Sequence, residues 1–525
     1  MAAKPGSKFY ITTAIAYVNG LPHLGHAYEA ILTDVMARFQ RLDGRDVMFL
    51  TGTDEHGEKV AKTAEKNNVA PKAFADINAA AFEQMDKTLN ISHDDFIRTT
   101  EPRHYAASQA LWKKLQERGD IYLGKYEGWY SVREEGYFTE AELTKNDKGQ
   151  MITPNGTEAE WVEEPSYFFK LSTYRDKLLD LYQKNPDFIQ PATRKNEIVS
   201  FVSQEGGLKD ISVSRHKKRL SWGIPVPGDE DHVMYVWLDA LTNYITSPGY
   251  PDEKKDTFKK YWPADYHVIG KDIIRFHAIY WPAFLMSADI ELPKTIFAHG
   301  FINVQGAKMS KSVGNVLSPD DLVRTYGLDQ IRYFLMREIP HGEDGNFSHE
   351  QAVQRINADL ANGLGNLAQR TLSQIYKNCD SKFPKPGALT DEDKHLLDAA
   401  QTKMLEVVRV EFNKFKFNKG LEAIISVAAK ADAYIDVQAP WKLKKENVER
   451  MNTVLYVLAE VIRCLGIIIQ PVVPDSSAKL LDQLKVSADE RAYTHLAPKY
   501  ALKPGAVIDQ PIGVFPRLNL EEEAA

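Results

Sequence analysis

The spacing of apolar positions changes several times along the chain, and each change marks a new kind of element. Lys8 to Ala14 is a β-rich run, followed by a loop, Tyr17-Val-Asn-Gly-Leu-Pro-His23, that holds two turn formers. From His23 the period becomes helical. Leu32, Val35, Met36, Phe39 and Leu42 recur at three- and four-residue spacing, and Gly44 stops the helix. Asp46 to Thr51 reads as a second strand, with Gly52-Thr-Asp-Glu-His-Gly57 as a polar loop at its end. Strand, loop, helix and strand make a βαβ unit of a nucleotide-binding kind, expected to be parallel and right-handed.

From about Tyr122 to Val233, aromatics, glycines, prolines and short alternating runs replace that rhythm, which predicts an insertion. The βα pattern resumes at Val233-Met-Tyr-Val-Trp237 and His267-Val-Ile-Gly270. Beyond about Glu350 the chain turns helical. Ile356, Leu360, Leu364, Leu367 and Ile375 form one stripe, with further stripes in Leu396–Val408, Leu421–Tyr434 and Val454–Ile469. The organisation expected is therefore residues 1–121 and 233–350 as two halves of one α/β fold, 122–232 as the insertion and 351–525 as a helical bundle.

Composition narrows the classes. A chain of 525 residues with 43 % apolar residues can bury several cores. No apolar run reaches the ~20 residues of a membrane span; the best, Cys464 to Pro474, is interrupted. With no secretory signal at the start, a cytoplasmic protein without membrane contact is expected. Cys379 and Cys464 are the two cysteines and lie far apart, which argues against a disulfide framework or a thiolate metal site. The formal net charge of −7 argues against nonspecific nucleic-acid binding but leaves room for a local basic face.

Two motifs carry the chemistry. His23-Leu24-Gly25-His26 opens a helix after a strand. A helix N-terminus offers free N–H groups and a positive dipole end to phosphate, Gly25 lets a nucleotide approach the backbone, and the two histidines share a face. Lys308-Met309-Ser310-Lys311-Ser312 lies between Gly306 and Gly314, where two lysines can clamp a polyphosphate leaving group. Alone, the first reads more readily as surface histidines at a cap, and the second also reads as a solvated basic loop. Together, in this order and context, they resemble the HIGH and KMSKS motifs of class I aminoacyl-tRNA synthetases.

The resemblance narrows to the methionyl-tRNA synthetases. Ala14-Ile-Ala-Tyr17-Val-Asn-Gly20, Thr51-Gly-Thr-Asp54-Glu-His-Gly57, Tyr235-Val-Trp237-Leu-Asp-Ala240, Gly270-Lys-Asp272-Ile-Ile-Arg-Phe-His277 and His299-Gly300 look like that family's pocket segments. Trp222-Gly-Ile-Pro-Val-Pro227 and Ala439-Pro-Trp441 match as well. The implied fold is α/β: a split, Rossmann-type parallel sheet with an inserted connective domain, then an α-helical anticodon-binding bundle. The implied reaction joins L-methionine to tRNA(Met), initiator and elongator, by way of methionyl-adenylate, with ATP and its Mg²⁺ and no DNA partner.

By the same resemblance His23, His26, Lys308 and Lys311 are catalytic. Gly25, Gly270, Asp272, Ile302 and Lys311 bind ATP. Ile15, Tyr17, Asp54, Trp237, Ala240, Tyr244, Ile273 and His277 form the methionine pocket. Such a set suits a neutral, polarizable thioether held by apolar walls and a weak donor, Tyr17 or His277, with Asp54 on the ammonium. Asn366, Arg370 and Trp441 are expected to read the CAU anticodon. On their own, Asn366 and Arg370 read as ordinary helix surface and Trp441 as core.

Arg215-His-Lys-Lys-Arg219 and Lys442-Leu-Lys-Lys445 are candidate phosphate contacts. Where many relatives carry zinc-binding cysteines, this chain has Tyr126-Glu-Gly-Trp-Tyr-Ser131-Val-Arg-Glu134. Ser131 and Glu134 replace thiolates, so no zinc is expected. The aromatics Trp129, Tyr130, Tyr137, Phe138 and Trp161 are expected to supply the core instead. A monomer is the default expectation. Two alternatives stay open: a class I synthetase for another amino acid, or a synthetase-like RNA-binding protein without catalysis.

Overall fold

The structure, a computed structural model, describes residues 4–204, 208–308 and 316–519, with Lys308 by its backbone alone. Strand Lys8–Thr12 lies at the centre of a seven-stranded parallel sheet. Asp46–Asp54 pairs with it on one side and Tyr266–Gly270 on the other, so that Ile11 faces both Phe49 and Tyr266. Thr295–His299 and then Ile189–Gln190 continue the sheet beyond Tyr266–Gly270. Ala16–Tyr17 and Asp95–Arg98 both pair with Asp46–Asp54. The central strand is apolar on both faces because both are covered: Phe9, Tyr10 and Ile11 are all buried.

The helix expected from His23 runs Leu24–Leu42 and buries Leu32, Val35, Met36 and Phe39, as the period predicts. Gly44, at φ 92°, ends it. Two expectations are corrected. Asp46–Asp54 continues three residues past Thr51, so Gly52, Thr53 and Asp54 are strand rather than loop. Gly52 is needed there because a Cβ would lie 2.0 Å from the Ile97 carbonyl oxygen of the neighbouring strand. The run Val233–Trp237 is not one strand either. His232–Met234 pairs antiparallel with Ser214–His216, and Val236–Leu241 is a short helix, so Trp237 and Ala240 project from a helical turn.

Residues within 122–232 build a six-stranded sheet around the long antiparallel pair Ile121–Ser131 and Glu158–Phe169. Ile189–Gln190 returns from this stretch to the catalytic sheet. In the C-terminal bundle Ile356, Leu360, Leu364, Leu367 and Ile375 are all fully buried. Helix Val448–Ile469 is long and apolar enough to cross a membrane by length and composition, which the expectation from apolar runs overlooked; it is buried as the core of the bundle.

The bundle is held against the helix Leu24–Leu42. The buried Arg332 guanidinium, from helix Leu328–Glu338, bridges the two: it donates to Asp34 Oδ2 at 2.6 Å and to the carbonyls of Leu89, Pro471 and Val472. Arg409 reaches Asp43, Gln40 reaches Asn413 at 2.8 Å, and the Phe39 ring meets Phe412. An arginine so buried is tolerated because every face of its planar fork meets an acceptor.

Candidate active site

A cleft of about 490 Å³ opens past the C-terminal ends of the parallel strands, where ligands bind in open α/β sheets. His23 caps the helix Leu24–Leu42. Its Nδ1 accepts from the Gly25 N–H at 3.1 Å, and His26 Nδ1 accepts from the His23 N–H at 3.3 Å. The two rings stack at 3.9 Å. With each Nδ1 accepting, the proton of each neutral ring sits on Nε2, which makes Nε2–H the donor for an anion. Burial, reinforced by His23 and Lys59, holds the His26 pKa well below the usual histidine range, so the ring stays neutral at pH 7.

His23, Gly25, His26, Gly270, Asp272 and Ile302 all line this cleft. Ile302 begins the strand Ile302–Val304, and the Lys308 backbone pairs with Asn303 of that strand. The lysine motif thus begins one strand away from Ile302. Lys311, with Met309, Ser310 and Ser312, lies outside the described residues.

A second, smaller pocket of about 60 Å³ adjoins the cleft, and Ile15, Tyr17, Asp54, Trp237, Ala240, Tyr244, Ile273 and His277 all line it. Ile15, Tyr17 and Ile273 belong to both spaces. Trp237 stacks on Phe276 at 3.7 Å and meets the Tyr17 ring edge-on at 6.4 Å. His277 sits in a π-helical turn, Phe276–Tyr280, a rare geometry that concentrates at functional sites. Its Nδ1–H donates to the Ile273 carbonyl at 3.0 Å, so its Nε2 accepts from the Tyr244 hydroxyl at 2.7 Å. Burial lowers the His277 pKa to about 4, so the ring is neutral. No N–H of His277 remains for a thioether, which leaves Tyr17 as the donor of the expected pair.

Four buried polar atoms of residues lining this pocket have no protein partner: Tyr17 OH, Asp54 Oδ1, Trp237 Nε1 and Asn243 Oδ1. Such an atom costs about 1–3 kcal/mol, so four in one pocket mark a place built for a polar ligand. Burial, and then the carboxylates of Asp239, Glu135 and Glu55, push the Asp54 pKa well above the carboxylate range. A cationic ligand would relieve that.

The sequence places His299 and Asn19 in pocket segments without a role of their own, and it does not single out Lys59. His299 Nδ1 donates to the Gly300 carbonyl at 2.8 Å, and Nε2 meets Glu29 at 2.8 Å. Burial lowers its pKa, but the hydrogen bond and charge of Glu29 outweigh that and hold it above the usual range. The usable signal was its place at the end of a sheet strand, beside a glycine. Lys59 and Asn19 also line the cleft.

Far from the cleft, Arg370 pairs with Asp432 at 3.0 Å and Asp436 at 2.8 Å and lies 5.8 Å from the Trp441 ring. Trp441 is half-exposed, and Asn366 is exposed one helical turn before Arg370. The two aspartates gave no sequence signal.

Within the basic run 215–219, the expectation for Arg215 is corrected, whereas Lys218 is exposed. Arg215 is 2 % exposed, with its guanidinium within 4.6–4.8 Å of the Tyr130, Tyr137 and Tyr235 rings, and Arg219 pairs with Glu58 and Glu160. Arg215 is thus a structural residue of the insertion, and Arg219 ties the insertion to helix Glu58–Lys66. Lys442, Lys444 and Lys445 are exposed. Of the expected aromatic core, Tyr130 is buried, but Trp161 is 53 % exposed and packs edge-on to Trp129. Ser131 and Glu134 form a hydrogen-bonded cluster with Thr153, Asn155 and Thr157.

A split parallel sheet with a histidine-capped helix over its cleft defines a nucleotide-binding enzyme of the class I synthetase type. A family model described as tRNA synthetases class I (M) matches residues 9–372, and one described as anticodon binding domain of methionyl tRNA ligase matches 383–525. The methionine–tRNA ligase of Mesorhizobium japonicum is 57 % identical, over 97 % of this chain and 98 % of its own. That of Brucella suis is 58 % identical over the same shares. The solved structure of Mycobacterium tuberculosis methionyl-tRNA synthetase in complex with methionyl-adenylate superposes with a TM-score of 0.94 at 53 % identity, covering 97 % of this chain and all of that one. The chain belongs to the methionyl-tRNA synthetases of class I.

Proposed function

We propose that the chain is a methionine–tRNA ligase that activates L-methionine with ATP and transfers it to the 3′ end of tRNA(Met). The observation that carries this is the small pocket. Its apolar walls, one unpartnered carboxylate oxygen and one unpartnered phenol match the side chain, ammonium and sulfur of methionine, and it opens onto the nucleotide cleft. The relatives' names and the methionyl-adenylate bound to the mycobacterial enzyme support the same reading.

In this reading Asp272 and Gly270 hold the ribose, Ile302 flanks the adenine, and Asp54 holds the ammonium. The methionine carboxylate, already ionised at pH 7, attacks the α-phosphorus in line. One P–O bond forms to the carboxylate, the bond to the β-phosphate breaks, and pyrophosphate leaves. Catalysis is then positioning and charge stabilisation, with His23 and His26 donating from Nε2. Lys308 and Lys311 act on the departing pyrophosphate. Mg²⁺ would enter with ATP, on its phosphates. A ribose hydroxyl of tRNA then attacks the acyl carbonyl and AMP leaves. Asn366, Arg370 and Trp441 read the anticodon, and the enzyme works as a monomer.

The test is pyrophosphate exchange against a panel of amino acids, followed by charging of initiator and elongator tRNA. Exchange that depends on methionine is expected. Equal exchange with isoleucine, valine or cysteine, or none with methionine, would overturn the reading.

A further inference from the structure

The methionine pocket and the nucleotide cleft meet at Tyr17, and a side chain unused so far stands at that junction. Lys59 is the second residue of helix Glu58–Lys66. Among the described residues lining the cleft it is the one lysine or arginine. Its ammonium lies 5.2 Å from the Tyr17 ring centre. With the Asn19 amide oriented to donate to the Tyr17 carbonyl, its oxygen accepts from Lys59 Nζ at 3.2 Å. Burial lowers the Lys59 pKa, and the carboxylates of Glu135, of Asp272 on the ribose side and of Asp54 on the ammonium side oppose that. A ligand spanning those two carboxylates must carry its phosphate past this ammonium.

The helix that presents Lys59 is capped from the insertion. Its N-cap, Gly57, has φ 102° and no side chain to cap with. The Glu135 carboxylate takes that place: Oε1 accepts the Lys59 N–H at 2.7 Å and Oε2 accepts the Tyr130 hydroxyl at 2.6 Å. A Cβ on Gly57 would lie 2.8 Å from that Oε1, so the glycine admits the carboxylate. Glu135 itself stands at φ 51°, a conformation an L side chain seldom adopts, and its carbonyl is held by the Tyr235 hydroxyl. Its neighbour Glu134 turns the other way, into the hydroxyls of Thr153 and Thr157. One end of this turn is thus tied to the insertion and the other to the cleft.

We propose that Lys59 contacts the α-phosphate during adenylate formation and that Glu135, from the insertion, is its positioning residue. This rests on the methionine-activating reading above. A half-buried ammonium at that point would neutralise charge on the non-bridging phosphate oxygens as the carboxylate attacks, and would contribute little to methionine or adenosine alone.

The experiment compares wild type with Lys59→Met, Lys59→Gln, Lys59→Arg, Glu135→Ala and Glu135→Gln. It measures the single-turnover rate of adenylate formation and the affinities for L-methionine, adenosine and methioninol adenylate, a stable ligand that keeps the phosphate. Lys59→Met is expected to lower both the rate and methioninol-adenylate affinity at least about tenfold, with methionine and adenosine affinities within about twofold. Lys59→Gln serves as the neutral variant if Lys59→Met does not fold. Lys59→Arg should recover part of the loss. Glu135→Ala should show the same pattern, about threefold or more, and Glu135→Gln, which keeps an acceptor for the Lys59 N–H, should recover it. Unchanged methioninol-adenylate affinity in folded Lys59 variants, or equal losses for all three ligands, would overturn the inference. A wild type that forms no methionyl-adenylate would instead overturn the underlying reading, and this inference with it.

Discussion

Across the shared wall of Ile15, Tyr17 and Ile273, an enclosed pocket of about 60 Å³ gives way to an open cleft of about 490 Å³. On the pocket side Trp237, Ala240, Tyr244 and His277 are all buried and hold one another by stacking and by the Tyr244–His277 hydrogen bond. On the cleft side the lining groups are half-buried histidines at a helix end, glycine backbone and, among the described residues, the lysine Lys59. In the proposed reading the pocket selects by shape and by the Asp54 carboxylate, and the cleft accepts the polyphosphate and stabilises charge that grows during reaction. The contrast teaches that discrimination and rate are held by different walls, so changes on the two sides should separate in kinetics.

The strongest test is Asp54→Asn. Leaving the substrate ammonium unpaired in a buried site costs about 3–5 kcal/mol. The kcat/KM for methionine in pyrophosphate exchange should fall at least about 100-fold, with the KM for ATP within about threefold. The same change removes a carboxylate that burial disfavours in the empty enzyme, so its Tm without ligand should rise. A falling Tm together with an unchanged methionine KM would break the comparison.

His277 gives the next effect, through pH. Its pKa of about 4 in the fold lies below the ordinary histidine value, so the unfolded chain binds the proton first as pH falls. Stability is full above the unfolded value near 6.5 and drops between there and about 4, by up to about 3 kcal/mol from this residue. Calorimetry from pH 7 to pH 4 on wild type and His277→Gln should show a shallower loss in the variant. Equal slopes would show that His277 is not the group responsible.

On the cleft side, His26→Ala should lower the rate of adenylate formation about 100-fold, near 2.7 kcal/mol, as losing one preorganised donor does. Methionine affinity, read by tryptophan fluorescence, should stay within about threefold. A matching loss of methionine affinity would erase the distinction between the two walls. The smallest expected effect is Tyr17→Phe. Losing one donor to the sulfur is worth about 1 kcal/mol, so methionine affinity should fall about fivefold while norleucine, which has no sulfur, binds unchanged. An equal fall for both ligands would assign Tyr17 to packing alone.

How much of this was legible varies with the range of the interactions. Helix Leu24–Leu42 was readable because a 3.6-residue period and a terminal glycine are local signals. The eight pocket residues were named through motif resemblance and do converge. Trp237 was assigned to a strand because Val233–Trp237 is rich in β-formers, yet Tyr235 is followed by a turn that the local pattern does not encode. Arg215 read as a candidate phosphate contact because its cage comes from Tyr130, Tyr137 and Tyr235, remote in sequence. Lys59 and Glu135 were invisible for the same reason: each looks like an ordinary surface charge until the fold joins them across 76 positions.

The order of strands in the sheet sets a problem of timing. Lys8–Thr12 finds its first neighbour, Asp46–Asp54, early in the chain, but Ile11 must wait for Tyr266 on its other side. At ~5–20 residues per second of synthesis, that edge stays open for on the order of tens of seconds. It is apolar on both faces and so is a template for the wrong strand, including one from another ribosome's product. A nascent chain arrested between about residue 60 and residue 260 would display that edge, which makes the middle of the polypeptide the stretch where birth of this enzyme most depends on a chaperone.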